Sequence, residues 1–221
     1  MPQAGPQQFG NLEANIRFLD MTGIVTPGTR ALEIGTGTGS LLRELLVRGV
    51  DAEGVELRQE LIDQAHRFHG PLPILRVTGT ALPFPDSSFD VVVSFDVFEH
   101  IPDSDAHLLE VRRVLRPGGS YLLQTPNKWT NTVFETIRWR SFTRFREDHC
   151  SLHTLPQLNA RLKRLGFEPR AYDVPVVNDF FRAKVRQYVG SAGVVALRVI
   201  NPDRLPIAWR TNFYIAARKP A

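Results

Sequence analysis

A chain of 221 residues, 43% of them hydrophobic, has the length for one domain with a sizeable core, and its single cysteine excludes an internal disulfide framework. Met1–Asn11 has neither a basic start nor an apolar run, and no apolar stretch has the length of a bilayer, so the expectation is a cytoplasmic protein without a secretory leader. The formal charge of +4 is unevenly divided: residues 1–127 hold 10 basic and 16 acidic side chains, net −6, and residues 128–221 hold 17 and 7, net +10. A basic half of this kind suits an acidic substrate, nucleic acid or an anionic membrane surface, or is simply a solvated face.

In chain order, Glu13–Met21 reads as a short amphipathic helix, and Thr26-Pro27-Gly28 as the turn before a strand at Arg30–Ile34. A glycine-rich loop follows, then a helix over 38–48, a strand at Asp51–Leu57, a helix at Gln59–Phe68 and a strand at Ile74–Val77. Phe89–Phe95 has the Val and Phe run of a buried strand. Asp103–Leu115 places Ala106, Leu109, Val111 and Val114 at helical spacing, and Arg116-Pro117-Gly118-Gly119 is read as its stop, ahead of a strand at Ser120–Thr125. Beyond it, Lys128–Phe145 is basic, aromatic and partly helical; Leu155–Leu165 is a helix, Phe167–Val174 a strand, Asn178–Val189 a helix and Arg210–Ala217 a last strand, with 190–206 carrying no clear pattern. Strand–helix alternation of this kind predicts an α/β fold, a doubly wound, mostly parallel sheet with helices on both faces.

The most informative stretch is Glu33-x-Gly35-x-Gly37-x-Gly39, a strand end turning into a helix. Glycines at alternate positions let backbone turn sharply and approach a ligand closely, and the helix aims free N–H groups at the loop. The spacing does not fit G-x-G-x-x-G, because Ser40 stands where the third glycine would fall; this argues against a nicotinamide-dependent oxidoreductase. No P-loop lysine follows, which excludes a Walker-type phosphate site.

The acidic-x-Gly-x-Gly-x-Gly pattern resembles motif I of the class I S-adenosylmethionine-dependent methyltransferases. Further stretches resemble that family in order: Glu56 at the end of the second strand, Ala81-Leu82-Pro83-Phe84-Pro85-Asp86-Ser87-Ser88-Phe89-Asp90, Phe95-Asp96-Val97-Phe98-Glu99-His100-Ile101 and Leu115-Arg116-Pro117-Gly118-Gly119. His149 through Gly166-Phe167 is similar to the downstream part of the branch containing ubiquinone and menaquinone biosynthesis methyltransferases. The resemblance implies a Rossmann-like, seven-stranded fold in a single domain, 1–221. Its cofactor-binding core is expected over about 28–125, with a helical acceptor-side insertion over about 126–150 and 176–206.

It also implies S-adenosyl-L-methionine as cofactor, S-adenosyl-L-homocysteine as product, and methyl transfer to a small, hydrophobic or anionic acceptor. Glu33 is expected near the ammonium, directly or through water. Glu56 is expected to accept from both ribose hydroxyls, a task suited to a carboxylate, with Leu57 against the adenine. Gly35, Gly37, Gly39, Thr78, Gly79, Thr80, Ala81, Phe95 and Asp96 complete the expected cofactor contacts. At Thr78 the chain departs from the family, which often has an acidic residue there; a hydroxyl or backbone carbonyl takes over the adenine contact. The alternative is a cofactor-binding relative without turnover, in a regulatory or membrane-surface role.

For a weakly acidic acceptor the transfer needs a base. Asp96 and His100 follow the fourth strand at the carboxyl edge, where open α/β sheets bind ligands; His149 is a third catalytic candidate and His153 a further candidate base. Asp148-His149-Cys150 with His153 carries ligand-type side chains but lacks paired-cysteine or double-histidine spacing, so no metal is expected. Lys128-Trp129, Phe134, Arg138-Trp139-Arg140, Phe142 and Arg144-Phe145-Arg146 suit cover over an apolar acceptor with an anionic group, or peripheral contact with an anionic membrane; nucleic acid is disfavoured. The oligomeric state is not encoded in any of these motifs.

Overall fold

The structure is a computed structural model and describes residues 10–139, 141 and 149–221. Its elements run α1 (Leu12–Thr22), β1 (Arg30–Ile34), α2 (Ser40–Val47), β2 (Asp51–Glu56), α3 (Gln59–His69), β3 (Ile74–Arg76), β4 (Phe89–Phe95), α4 (Ser104–Val114), β5 (Leu115–Pro126), α5 (Lys128–Trp139), α6 (Leu155–Arg164), β6 (Glu168–Tyr172), α7 (Asp179–Ala196) and β7 (Asn212–Arg218). Local chemistry sets several boundaries. Asn11 caps α1 through the N–H of Ala14, and Gly23, in the left-handed region, closes it. Thr154 and Gln157 form a reciprocal capping box on α6.

Seven strands form one sheet in the order β3-β2-β1-β4-β5-β7-β6. The pairings from β3 to β5 are parallel, and β7 runs antiparallel to both β5 and β6. The alternation along each strand divides the core into two layers. Leu32, Val92, Tyr121, Leu123, Phe213 and Ile215 face α4 and α6 through Leu108, Val111, Leu158 and Leu162. Ala31, Val91, Val93, Leu122, Tyr214 and Ala216 face α1 and α2 through Ala14, Phe18, Leu41, Leu42 and Leu45. A two-residue side-chain period on a sheet covered from both sides requires this split.

The strands at Arg30–Ile34 and Phe89–Phe95 begin and end where the sequence predicts. Two expectations are corrected. The Arg116-Pro117-Gly118-Gly119 run does not follow the helix as a separate turn: α4 ends at Val114 and β5 begins at once, with a register shift opposite Phe89–Val91. The N–H of Gly118 there donates to the Lys219 carbonyl, and that of Lys219 to Gly119, so apparent breakers are paired strand residues. The second correction is at the far end. α7 continues to Ala196 across a break at Gly190 (φ 80°, ψ −174°), into the stretch that carried no pattern.

The topology also sets where a ligand fits. From β1 the chain passes to β2 on one side and returns to β4 on the other, so a crevice opens between the carboxyl ends of β1 and β4.

Candidate active site

The loop after β1 is held by geometry that only glycine satisfies. Gly35, Gly37 and Gly39 all have positive φ, at 76°, 53° and 78°. A Cβ on Gly35 would overlap Val97 Cγ2, and one on Gly39 would stand 2.6 Å from Leu72 Cδ1. The loop therefore lies directly on the segment after β4 and on the α3–β3 connection. Gly39 serves as N-cap of α2 and has no side chain to cap it, so the first turn of the helix faces the loop.

Two carboxylates flank this loop. Glu56, 7% exposed at the end of β2, accepts from the N–H groups of Gly37 (2.9 Å), Leu57 (2.9 Å) and Arg58 (3.0 Å). Glu33, 5% exposed at the end of β1, has an oxygen, Oε2, buried without a partner among the described residues. Burial, together with repulsion from Glu56, pushes its carboxyl up to about 8 against a backbone hydrogen bond from Leu42. An unpartnered buried acceptor costs about 1–3 kcal/mol. A cationic group placed there would remove that cost, so the residues present fit a cofactor bearing an ammonium beside a diol.

Leu57 projects 57% exposed beside Glu56 and offers an apolar flank. The Thr78–Ala81 turn closes the same edge. The hydroxyls of Thr78 and Thr80 are 3.2 Å apart, and the Ala81 N–H donates to Thr78 O. From beneath, His107 Nδ1 lies 2.8 Å from the Gly79 carbonyl, and its Nε2 lies 3.0 Å from the Tyr121 hydroxyl, itself 2.7 Å from Ser94 Oγ. Burial pushes His107 down to about 4, so it is neutral, and Nδ1 donates to the carbonyl while Nε2 accepts. The sequence reading missed His107; its signal was a histidine at an inward position of an otherwise apolar helix face.

Phe95 and Asp96 end β4. Phe95 packs against Phe18 with ring centroids 5.9 Å apart. Asp96 takes φ 55°, rare for a side chain with a Cβ. Gln124 on β5 holds it there: the Asp96 N–H donates to Gln124 Oε1 at 2.8 Å, and Gln124 Nε2 donates to Asp96 Oδ1 at 3.2 Å. Burial raises the Asp96 carboxyl, against Gln124 and the positive charges of Lys184 and His100.

A 3₁₀ turn at Phe98–His100 follows β4 and carries Glu99 and His100. Glu99 is 1% exposed and accepts from Thr125 Oγ1 at 3.0 Å; burial and repulsion from Asp96 push it up to about 8. The Ser151 N–H donates to Glu99 O, which docks the returning chain on the turn and brings His149 to His100, ring centroids 4.9 Å apart. The Asn131 amide lies 2.9 Å from His149 Nδ1. Thus of the three expected catalytic residues, His100 and His149 form one unit with Glu99, and Asp96 is clamped on the strand end. Only the fold shows Glu99 buried beside two histidines and a second carboxylate.

His153 is placed otherwise. Its Nε2 accepts from Arg161 Nη1 at 2.9 Å, and Nδ1 donates to Ser151 O at 2.9 Å, so both ring nitrogens are used in anchoring α6. Burial, the largest cause, with Arg161 and Lys128, lowers its pKa. α5 and α7 pack together: Phe134 meets Tyr188 edge-on at 5.6 Å, Arg138 lies over Tyr188 at 5.2 Å, and Lys184 lies over Phe134 at 5.6 Å. Arg140, Phe142, Arg144, Phe145, Arg146 and Asp148 lie outside the described residues.

A family model described as a methyltransferase domain matches residues 7–172. A demethylmenaquinone methyltransferase of Beutenbergia cavernae is 28% identical over 171 residues, covering 77% of this chain and 64% of that protein. A ubiquinone/menaquinone biosynthesis C-methyltransferase of Hahella chejuensis is 32% identical over 126 residues, 52% of this chain and 49% of that protein. The chain thus spans about half to two thirds of the length of these curated relatives. Among solved structures, an S-adenosylmethionine-dependent methyltransferase of Mesorhizobium loti superposes with a TM-score of 0.65 at 18% identity, covering 93% of this chain and 97% of that one.

Proposed function

The chain belongs to the methyltransferase-domain family, whose cofactor is S-adenosylmethionine, and from that premise we propose that it transfers the cofactor's methyl group to a small acceptor, apolar with an anionic group. The observation that carries the reading is the unpartnered, buried oxygen of Glu33 beside a glycine loop whose N–H at Gly37 already aligns Glu56. The cofactor supplies a methyl group made electrophilic by the positive sulfur to which it is bonded.

The chain's own residues bind and orient. Glu33 receives the ammonium and ionises against it. Glu56, aligned by three N–H donors, keeps about one of its four lone-pair sites, on Oε2, for the ribose hydroxyls. Leu57 covers one adenine face, and the Thr78–Ala81 turn, propped by His107, meets the base edge with hydroxyl and backbone groups. Asp96, pinned by Gln124, fixes the end of β4 between cofactor and acceptor, and His100 and His149 face the reacting atom of the acceptor. Bringing two reactants within about 3–3.5 Å supplies much of the rate. In this assignment 28–125 is the cofactor core, and 126–150 with 176–206 covers the acceptor.

Calorimetry with S-adenosylhomocysteine tests the reading. Micromolar binding to the native protein that weakens in Glu33→Gln and Glu56→Ala supports it; absence of binding to the native protein overturns it. The alternative of a chain without turnover rests on Thr78 alone. The Thr78 and Thr80 hydroxyls supply the acceptor atoms that a carboxylate would have offered, so that alternative is not favoured.

A peripheral membrane contact has its own support. Val195, Val199, Ile200 and Trp209 are 59%, 82%, 69% and 59% exposed, with Arg198 and Arg204 among them. Apolar side chains amid arginines suit an anionic bilayer surface. Sedimentation with phosphatidylserine vesicles that is lost in high salt supports this, and binding equal on neutral vesicles counts against it.

A further inference from the structure

Glu99, His100 and His149 each present a ligand-type atom, and these three atoms lie within 4.8 Å of one another. We propose that this trio is a divalent-cation site on the acceptor side, and that the acceptor's methylated atom is an oxygen bound to that cation. The proposal rests on the methyltransferase reading above and deepens it.

Ligand atoms held at about 2.1 Å in tetrahedral geometry stand about 3.4 Å apart, so the trio must close by up to about 1.4 Å around one cation. Glu99 Oε1 and His100 Nε2 stand 4.0 Å apart. One carboxylate with two imidazoles selects a first-row transition ion over magnesium or calcium. The surroundings are those of a ligand set. The Glu99 side chain is 2% exposed and held at its other oxygen by Thr125. The Asn131 side-chain amide lies 2.9 Å from His149 Nδ1 and fixes the place of that ring. His100 is 46% exposed, which leaves the outer side open to an incoming oxygen.

The chemistry balances without a redox partner. An acceptor hydroxyl that coordinates the cation becomes more acidic and releases its proton to solvent. Its oxygen then forms a bond to the methyl carbon as the carbon–sulfur bond breaks, and the electron pair of that bond stays on sulfur. The products are the methyl ether, S-adenosylhomocysteine and one proton.

The full chain, stripped with EDTA and titrated with Mn2+ under electron paramagnetic resonance, tests the site. One saturable Mn2+ per chain is expected, at least tenfold weaker in Glu99→Gln and in His149→Ala, while S-adenosylhomocysteine affinity in both stays within twofold of native. Absence of saturable binding of Mn2+ and of Zn2+, or equal binding in the variants, overturns it. Cofactor affinity is read separately, so failure there sinks the methyltransferase reading and not the cation site. With a panel of catechols, phenols, amines and quinols, oxygen methylation that EDTA stops and Mn2+ restores supports the acceptor assignment. Methylation of any acceptor that survives EDTA overturns it.

Discussion

The two halves of this molecule are built by different kinds of constraint. On the cofactor side the loop after β1 is fixed by backbone: left-handed glycines, N–H donors on Glu56 and a carbonyl propped by His107. In the half proposed to cover the acceptor, positions are fixed by side chains that reach across long stretches of chain. Asn127 donates to the carbonyls of Ala208 and Arg210, and Phe134 and Arg138 meet Tyr188. Backbone constraints fix the loop's own conformation and leave little room where it rests on Val97 and Leu72. Side-chain constraints allow the surface over the acceptor to vary while the sheet beneath stays the same.

The largest expected effect comes from setting glycines of the two halves against each other. Gly35→Ala combines left-handed backbone with overlap on Val97. It is expected to cost about 2–5 kcal/mol by urea denaturation and to abolish cofactor binding. Gly190→Ala has comparable backbone strain, about 1–3 kcal/mol, but no atom within 4 Å of its Cβ, and should leave S-adenosylhomocysteine affinity unchanged. Equal losses of affinity would erase the distinction.

Next is Glu56→Ala, which removes an acceptor from three backbone N–H groups as well as the expected ribose contact. Affinity for S-adenosylhomocysteine should fall by about 10–100-fold, at about 1.5–3 kcal/mol for hydrogen bonds to a charged group. A smaller loss, roughly three- to tenfold, is expected of His107→Phe, which acts only through Gly79. Unchanged affinity there would confine His107 to the core.

Glu33 gives the finest test, through pH. Its carboxyl is raised from 4.5 to about 8 in the folded chain, so the native state holds a proton that the unfolded state has released across that window. This contribution to stability is full below pH 4.5 and is lost as pH rises through about 8. Urea midpoints of the ligand-free protein should therefore decline from pH 5.5 to 8.5, and Glu33→Gln should flatten the decline. Cofactor binding at pH 7 should expel close to one proton, about 0.9, from Glu33. Calorimetry in buffers of different ionisation enthalpy reads this directly, and proton release undiminished in Glu33→Gln would remove Glu33 from the ammonium contact.

The same contrast explains what could be read from residue order. The glycine loop, Glu33, Glu56 and the strands Arg30–Ile34 and Phe89–Phe95 depend on neighbours close in sequence, and they stand where spacing and apolar runs put them. The start of β5 was misread because Pro117-Gly118-Gly119 breaks local pattern, whereas its N–H at Gly118 finds a partner at Lys219, far along the chain. The Glu99–His100–His149 group was illegible for a related reason. It exists only because the Ser151 N–H docks on Glu99, and a histidine 49 positions from another carries no periodic signal. His149 stands beside Asp148 and Cys150 in sequence, and beside Glu99 and His100 in space.

The reversed strand has a consequence for how the protein is made. β6 is an edge strand whose single pairing is with β7, and β7 follows all six other strands in sequence. As the chain leaves the ribosome, β1 to β5 can assemble their parallel ladder while β6 waits with both edges bare. Until residues 212–218 emerge, the nascent chain exposes an unpaired margin along β5 and a solitary strand beyond it, the kind of edge that recruits other chains. Arrival of β7 closes both at once, seals Phe213 and Ile215 onto one layer and Tyr214 and Ala216 onto the other, and ends the interval in which this protein is most open to aggregation during synthesis.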